Sequence, residues 1–279
     1  MALFWSWSVC ACAAFAQPNP PDPADDVRRW VQELQHKDSG VRWHAAHALG
    51  QLGPAAAEAV TPLQTRLLEE AEEYQRGAAA WALGRIGPAA RPAIPVLIES
   101  LASEKHASVR RNSAWALGQF GPPARAAVPG LVKLQDDEDP VVQVQTAAAL
   151  WKIDRHAKAA PKLLELLRQR EGTGSYAAAV ALGELGPEVH GALEALVEAL
   201  RHPDEDTRRA ASRSLGRLGP AAIPALRKLL ATGDAALRYR AVESLGWIGA
   251  PAVPVLLEAA GDKDQTVREA AARALKRAR

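Results

Sequence analysis

Apolar and polar positions follow one another along this chain in a pattern that repeats every 30 to 34 residues. Each repeat has an apolar segment with a proline near its start, such as residues 94–102, and then an alanine-rich segment that closes with a phrase of the type ALGxxGP. Self-similarity at such a period is typical of solenoids, in which each repeat buries its apolar face against its neighbours. The phrase, or a variant of it, begins at eight positions: Ala48, Ala82, Ala116, Ala149, Ala181, Ser214, Ser244 and Ala274.

Two helices are predicted for each repeat. The apolar segments at 94–102, 128–134, 223–230 and 253–259 predict the first helix, with proline in the first turn, where its missing N–H costs nothing. The alanine-rich segment predicts the second helix, which the glycine and proline of the phrase bring to an end. Residues predicted to cap the start of the second helix stand twelve positions before the first glycine of the phrase or its equivalent: Asp38, Glu72, His106, Asp139, Glu171, Asp204, Asp234 and Asp264.

Most repeats have an arginine at the same position, four residues after the predicted cap, so that the arginines form a column along the stack beside the column of caps. Gln143 and Ser175 interrupt the arginine column in two central repeats. Because a guanidinium bonds carboxylates and carbonyls in a planar fork, the two columns predict a hydrogen-bonded ladder between neighbouring layers. The arginines stand eight positions before the first glycine: Arg42, Arg76, Arg110, Arg208, Arg238 and Arg268.

The consensus D-x-x-V-R-x-x-A-A-x-A-L-G-x-I-G resembles the HEAT repeat in its short bacterial form, first associated with phycobilisome lyases. The resemblance runs from about Asp25 to Arg279. It implies an all-α fold, a right-handed α-solenoid of about eight stacked antiparallel helix pairs, with the second helices on the concave side and a role in recognition. The fourth phrase, ALWKIDR, replaces both glycines, and Gly172 to Gly174 departs from the consensus, so the middle of the stack is predicted to be irregular.

The N-terminal segment has the pattern of a targeting sequence. Residues 1–16 carry no charge, are apolar from residue 2 to 15 and end in Ala14-Phe15-Ala16, which predicts a signal peptide and an exported, periplasmic or secreted, protein. Residues 17–24 are predicted to be a proline-rich linker and residues 25–279 the solenoid. Both cysteines lie in the first segment, so two alternatives stay open: a lipid anchor on Cys12, or an uncleaved chain in the cytoplasm.

The second helices are predicted to display a partner-binding face. Apolar positions cover one side of each helix, which leaves the remaining positions for the concave surface. Only 5% of the residues are aromatic, yet many of them fall here, and Trp81 and Trp115 are predicted to form an exposed aromatic row. Packing across the curved concave surface is the alternative interpretation of these tryptophans. The predicted binding residues are Trp43, His47, Tyr74, Trp81, Arg111, Trp115, Tyr176, Arg209, Arg213, Arg217, Tyr239 and Trp247.

The chain has 34 Lys and Arg and 32 Asp and Glu, which give a net charge of +2. So small a net charge does not indicate a partner by itself, and a charged binding site would have to be a local patch. Arg209, Arg213 and Arg217 lie four residues apart on one helix stripe. With Arg273, Lys276 and Arg277 they predict a basic C-terminal half of the groove, suited to a carboxylate, a phosphate or an acidic peptide. An ordinary solvated helix face is the alternative interpretation.

Motifs of catalysis and cofactor binding are absent from the sequence. His44 and His47 have a spacing at which two histidines can share a metal, but no nearby carboxylate pair completes a site, and no His-Glu dipeptide of the HEAT di-iron hydroxylases occurs. The sequence therefore predicts no cofactor and a non-enzymatic scaffold that binds a protein or peptide, with nucleic acid disfavoured. The alternative is a lyase-like or nucleic-acid-repair HEAT protein in the cytoplasm.

Overall fold

A computed structural model describes residues 23–170 and 172–278, which form sixteen α-helices and no β-strand. The predicted signal peptide, residues 1–16, and Glu171 lie outside the described residues. The first helices of the repeats are α1 (Pro23–Glu33), α3 (Val60–Glu69), α5 (Ile94–Ser103), α7 (Val128–Lys133), α9 (Ala159–Arg168), α11 (Ala192–Ala199), α13 (Ile223–Thr232) and α15 (Val253–Ala259). The second helices are α2 (Ser39–Leu52), α4 (Glu73–Ile86), α6 (Ala107–Phe120), α8 (Pro140–Asp154), α10 (Gly174–Leu185), α12 (Glu205–Leu218), α14 (Ala235–Ile248) and α16 (Gln265–Arg277).

The helices pack in pairs that are adjacent in sequence, and the pairs stack into the predicted all-α solenoid. Successive second helices touch along most of their length, whereas successive first helices touch more sparsely. Because the layers of a curved stack converge on its inner side, the second helices line the concave surface. None of the helices in the described part of the chain combines the length and the apolar character that crossing a membrane requires.

The caps of the second helices follow the prediction in most repeats. The Asp38 carboxylate accepts hydrogen bonds from the backbone N–H groups of Gly40 and Val41. Glu72 and His106 occupy the cap position as predicted, but their side chains make no hydrogen bond to the first turn. The other capping carboxylates that accept from the first turn are Asp139, Asp204, Asp234 and Asp264.

The two glycines of the phrase have different roles. The second glycine ends the helix with a positive φ, as predicted, for example 75° at Gly87 and 69° at Gly219. The first glycine lies inside the helix and lets the next second helix come close: a Cβ on Gly84 would stand 2.8 Å from the Cα of Ala116. Sequence spacing alone predicted the helix end but not this close approach.

The arginine ladder is present, but its acidic partners are not the helix caps. Arg76 donates from Nε to Glu104, 2.8 Å away, and from Nη1 to the carbonyls of Glu70 and Ala71. Glu104 follows the first helix of the next repeat, so Arg76 ties its second helix to the next layer. The same interlayer pairs are Arg42 with Glu70, Arg110 with Asp137 and Arg238 with Asp262. Arg208 departs from this arrangement and pairs with Glu205 of its own helix.

The carboxylates of this ladder have perturbed pKa values. Burial by itself would raise the pKa of Glu70 and Glu104, but the hydrogen bonds and positive charges of Arg42 and Arg76 outweigh it and hold both pKa values below the ordinary value. The hydrogen bond from Arg238 likewise lowers the pKa of Asp262. Each carboxylate is therefore ionised at neutral pH and joins two layers.

The middle of the stack is irregular, as predicted. Asp154 stands at the position of the helix-ending glycine, α8 continues through it, and the next residue, Arg155, takes the positive φ of 57°. The ladder also loses its ion pairs here: Gln143 donates to the Asp137 carbonyl, and Ser175 contacts the hydroxyl of Thr207. The buried core divides at α8, since Leu150 belongs to an N-terminal cluster and Ala147 to a C-terminal one.

Candidate functional site

The predicted binding residues all lie on second helices, and α8 separates them into two groups along the groove. Helices α8 and α16 supply none of them. The residues by helix are Trp43 and His47 on α2, Tyr74 and Trp81 on α4, Arg111 and Trp115 on α6, Tyr176 on α10, Arg209, Arg213 and Arg217 on α12, and Tyr239 and Trp247 on α14.

Three aromatic rings stack at the N-terminal end of the groove. The His47 imidazole lies between the indoles of Trp43 and Trp81, with ring centroids 5.4 and 5.0 Å away and interplanar angles of 18° and 13°. The Trp81 ring also covers Gly50 of the preceding repeat, where an added Cβ would approach it to 2.3 Å. The stack thus joins the first two repeats as well as facing the groove.

Trp115 repeats this arrangement one layer further on. Its ring covers Gly84, and its Nε1 donates to the Gln119 side-chain oxygen at 3.1 Å when that amide is oriented to satisfy its neighbours. The same oxygen accepts from Lys152 Nζ at 3.2 Å. Burial lowers the pKa of Lys152, and the nearby charge of Glu184 opposes that shift.

The predicted exposed row of Trp81 and Trp115 is therefore corrected by the structure. Both indoles, like that of Trp43, are half-buried and pack against the N-terminal core. The physical reason is the glycine of the preceding repeat, which leaves a space on the helix surface that the indole fills. These tryptophans contribute to the packing between layers, and only their outer edges reach the groove.

The most exposed aromatic side chains of the groove are instead Tyr74, Tyr176 and Trp247, at 50%, 46% and 50% of their full accessible surface. Tyr239 is half-buried, and the guanidinium of Arg240 lies 5.5 Å from its ring centroid. Exposed aromatic groups on one face are typical of binding surfaces, because they bury large rigid areas on contact.

The predicted arginine stripe on α12 does not act as one unit. Arg209 pairs with Glu205 at 3.1 Å, and Arg217 faces Glu184 at 3.9 Å. Arg213 lies over the Trp247 ring, 5.6 Å from its centroid. Arg111, on α6, is exposed and has no ion pair among the described residues.

Two open clefts adjoin these side chains. One of about 480 Å³ is lined by Tyr176, Arg209 and Arg213 together with Asp204 and Asp206. A second of about 390 Å³ is lined by Tyr239 and Glu243 together with Arg273, Lys276 and Arg277. The sequence placed Arg273, Lys276 and Arg277 on a basic surface but did not include them among the predicted binding residues. The contact of Arg277 with Trp247 joins two repeats and was not predicted.

The two neighbouring histidines, His44 and His47, make aromatic contacts with the tryptophans beside them. The edge of the His44 ring contacts Trp43, with centroids 4.9 Å apart, and His47 stacks between the two indoles. Within residues 23–170 and 172–278 there is no group of three or more His, Cys, Asp or Glu residues placed to hold a metal ion.

Sequence comparison matches the profile of HEAT repeats to four stretches of the chain, residues 9–84, 60–149, 94–183 and 193–276. No curated protein matches the chain. Among solved structures, the Escherichia coli protein YibA has 20% sequence identity over 91% of this chain and 95% of its own, with a TM-score of 0.51. This likeness concerns the fold.

Two further structures resemble the chain at lower TM-scores. The complex of CpcE and CpcF of phycocyanin lyase from Nostoc sp. PCC7120 has 24% identity over 98% of this chain and 100% of its own, with a TM-score of 0.43. Human deoxyhypusine hydroxylase in complex with glycerol has 24% identity over 92% of this chain and 96% of its own, with a TM-score of 0.40.

Proposed function

The chain belongs to the HEAT-repeat family, and from that premise we propose that it is a non-enzymatic scaffold whose concave groove binds a protein or peptide partner. A solenoid presents one extended surface built from equivalent positions of successive repeats, which suits an elongated partner better than a small substrate. The partner then contacts side chains from several repeats at once.

The observation that carries this proposal is the distribution of exposed aromatic groups. Tyr74, Tyr176 and Trp247 project from three separate second helices on the concave side. Exposing large aromatic surface to water is unfavourable unless a partner covers it, and such residues dominate the energetics of protein interfaces. Their positions mark a path along the groove.

The test is partner binding by groove variants. Partners recovered by affinity purification would be purified and titrated directly against the wild type and against Tyr74→Ala, Tyr176→Ala and Trp247→Ala. We expect each substitution to weaken binding by about five- to thirtyfold, the effect of losing an aromatic anchor of about 1 to 2 kcal/mol.

Matched controls are available on the first helices. Leu68 on α3 and Leu257 on α15 are 53% and 60% exposed, so Leu68→Ala and Leu257→Ala remove similar apolar surface from the other side of the stack. These two variants should bind as the wild type does. Equal binding by all five variants and the wild type would show that the groove is not the site.

We also propose that the protein acts outside the cytoplasm. This proposal depends on the apolar, uncharged residues 1–16, which lie outside the described residues. Mass spectrometry of protein recovered from cell fractions tests it, with a mature N-terminus at Gln17 expected in the exported fraction. An intact chain found only in the cytoplasm would contradict it.

A nucleic-acid-binding role in the cytoplasm is the second candidate function. Its support is the charge of the C-terminal region, where residues 201–279 contain 15 Lys and Arg against 9 Asp and Glu, while residues 1–200 contain 19 against 23. The acidic side chains of Glu184, Glu205 and Asp206 interrupt this positive surface and disfavour a phosphate backbone. Direct binding of an oligonucleotide distinguishes the two functions.

A further inference from the structure

An exposed indole near the C-terminal end of the groove lies between two guanidinium groups. Trp247 belongs to α14, and the Cζ atoms of Arg213 on α12 and Arg277 on α16 are each 5.6 Å from its ring centroid. Three consecutive repeats therefore contribute one side chain each. We call this group, Arg213, Trp247 and Arg277, the tryptophan clamp.

The two arginines of the tryptophan clamp keep their hydrogen-bond donors available. In the described part of the chain, no carboxylate lies within ion-pair distance of either guanidinium. Neighbouring arginines are engaged: Arg209 pairs with Glu205, and Arg240 pairs with both Glu205 and Glu243. Cation–π contact with Trp247 holds the two free guanidiniums in place without using their N–H groups.

The chemistry of the tryptophan clamp favours a carboxylate ligand beside an apolar group. Each guanidinium offers a planar fork that matches a carboxylate, and the exposed indole offers a flat apolar surface between the two forks. The cleft of about 390 Å³ continues from Arg277 past Lys276 to Tyr239, so further basic and aromatic contacts follow in line.

A peptide fits this pattern better than a nucleic acid. A nucleic acid carries its phosphates at a short, fixed spacing, so its backbone would also meet the carboxylates of Glu205, Asp206 and Glu243 on the same face. The positions of the charges on an extended peptide depend on its sequence. A suitable peptide has acidic residues opposite the two arginines and uncharged residues opposite the acidic groups of the groove.

We propose that the tryptophan clamp binds an acidic segment of the protein partner, in which an apolar side chain lies on Trp247 and carboxylates on either side of it pair with Arg213 and Arg277. This inference rests on the proposed function, because it identifies the chemistry of the partner that the groove binds. Because salt screens these exposed ion pairs, most of the decrease in partner affinity with increasing salt should arise at this end of the groove.

The experiment measures fluorescence anisotropy with a labelled peptide of sequence Glu-Phe-Glu-Glu-Phe-Glu and the full-length protein. Both arginines are exposed, so Arg213→Gln with Arg277→Gln is a double variant that should fold, which circular dichroism verifies. We expect it to bind the peptide at least about tenfold more weakly than the wild type. Arg91→Gln, an exposed arginine outside the groove in the 3-10 segment Gly87–Ala93, should bind unchanged.

Two further probes distinguish charge from shape and from nucleic acid. The peptide Gln-Phe-Gln-Gln-Phe-Gln should bind at least about tenfold more weakly than its acidic counterpart, and the oligonucleotide dT12 more weakly still. No measurable binding of the acidic peptide to the wild type, equal binding by the double variant, or tighter binding of dT12 would each overturn the inference.

Failure of this inference is distinguishable from failure of the proposed function. If the purified partner binds the double variant fully but loses affinity for Tyr74→Ala and Tyr176→Ala, the groove is the site and the tryptophan clamp is not part of it. If the partner is insensitive to the aromatic substitutions and to the double variant alike, both proposals are wrong.

Discussion

Single residues decide how closely the layers of this solenoid approach. The first glycine of each phrase is not needed for backbone conformation, since only the second has a positive φ. It is needed because the next helix, and in two repeats an indole ring, occupies the space of its missing side chain. Glycine in a helix interior is unfavourable by about 1 kcal/mol relative to alanine, so the contact across the layers offsets that cost.

Gly84→Ala should therefore destabilise the protein although alanine is the better helix former. An added Cβ would stand 2.6 Å from the Trp115 ring and 2.8 Å from the Ala116 Cα, and the second of these atoms belongs to the backbone and cannot rotate away. We expect the free energy of unfolding in urea to fall by about 1 to 3 kcal/mol.

Gly130→Ala is the matched control for this prediction. Gly130 lies in α7, and apart from its chain neighbours and the nearby backbone of α7 no described atom lies within 4 Å of the position that its Cβ would take. The free energy of unfolding should rise there by about 0.5 to 1 kcal/mol through helix propensity alone. Destabilisation of the same size in both variants would show that the close approach at Gly84 has no energetic effect.

At the scale of helices, the arginine ladder joins one repeat to the next. In four repeats the arginine connects the start of a second helix to the residues that follow the next first helix, and it also satisfies carbonyls of the loop before its own helix. These four are Arg42, Arg76, Arg110 and Arg238. Forming a buried ion pair costs desolvation energy, so the pair itself adds little net stability. Removing one partner is costly, because it leaves the other charge buried and unpaired. The ladder therefore opposes separation of the layers.

Arg110→Ala is expected to lower the free energy of unfolding by about 3 to 5 kcal/mol, because it strands the buried carboxylate of Asp137. Arg268 has the same position in the last repeat, where it bonds only to the carbonyls of Asp262 and Lys263. Arg268→Ala should cost about 1 kcal/mol. Chemical denaturation of both variants measures the difference, and equal losses would assign the effect to the carbonyl contacts.

The ladder also predicts a loss of stability in acid. Because the pKa values of Glu70, Glu104 and Asp262 are lowered in the folded protein, their contribution is fully present above the unfolded-state values of about 4 to 4.5 and is lost as the pH falls through the lower folded values.

Glu104→Gln should make this dependence shallower. We expect the free energy of unfolding of this variant to change less than that of the wild type between about pH 5 and pH 3, since one of the linked carboxylates is gone. Glu99→Gln, at an exposed position on α5, is the control and should keep the wild-type slope. An unchanged slope in Glu104→Gln would refute the assignment.

At the scale of the whole molecule, the described chain behaves as two stacks that share α8. Leu150 and Ile153 of this helix face the N-terminal cluster, Val144 and Ala147 face the C-terminal one, and the Trp151 ring touches both. The ladder has no ion pair at Gln143 of this helix, and the Trp151 Nε1 has no hydrogen-bond partner among the described residues. Coupling between neighbours sets the cooperativity of a solenoid, so this junction is its weakest link.

We therefore expect unfolding to depend on the probe. In a Trp247→Phe variant, tryptophan fluorescence comes only from residues 1–151, while far-ultraviolet circular dichroism reports all the helices. The two urea transitions should have different midpoints. Adding Gln143→Arg and Gln169→Glu to this variant restores a ladder ion pair, so the two midpoints should then coincide. Two transitions that already superimpose in the Trp247→Phe variant would contradict the expectation.

The sequence by itself determined the repeat, the order of its helices and the ends of the second helices. These features depend on local rules, because a proline in the first turn, a carboxylate at Asp38 or a glycine at Gly87 acts within a few residues of its own position. The same locality explains why the candidate face could be counted from the phrase, and why all twelve predicted residues lie on second helices.

Only the tertiary structure decided which residues of that face are available to a partner. The indoles of Trp81 and Trp115 pack over glycines more than 30 positions earlier in the chain, so their half-burial could not be predicted from the helix that carries them. Arg209, Arg213 and Arg217 occupy equivalent places on one stripe, yet only Arg213 meets Trp247 from the next repeat and is joined there by Arg277. Exposure and pairing are properties of neighbouring layers, and the spacing of residues along one helix does not contain them.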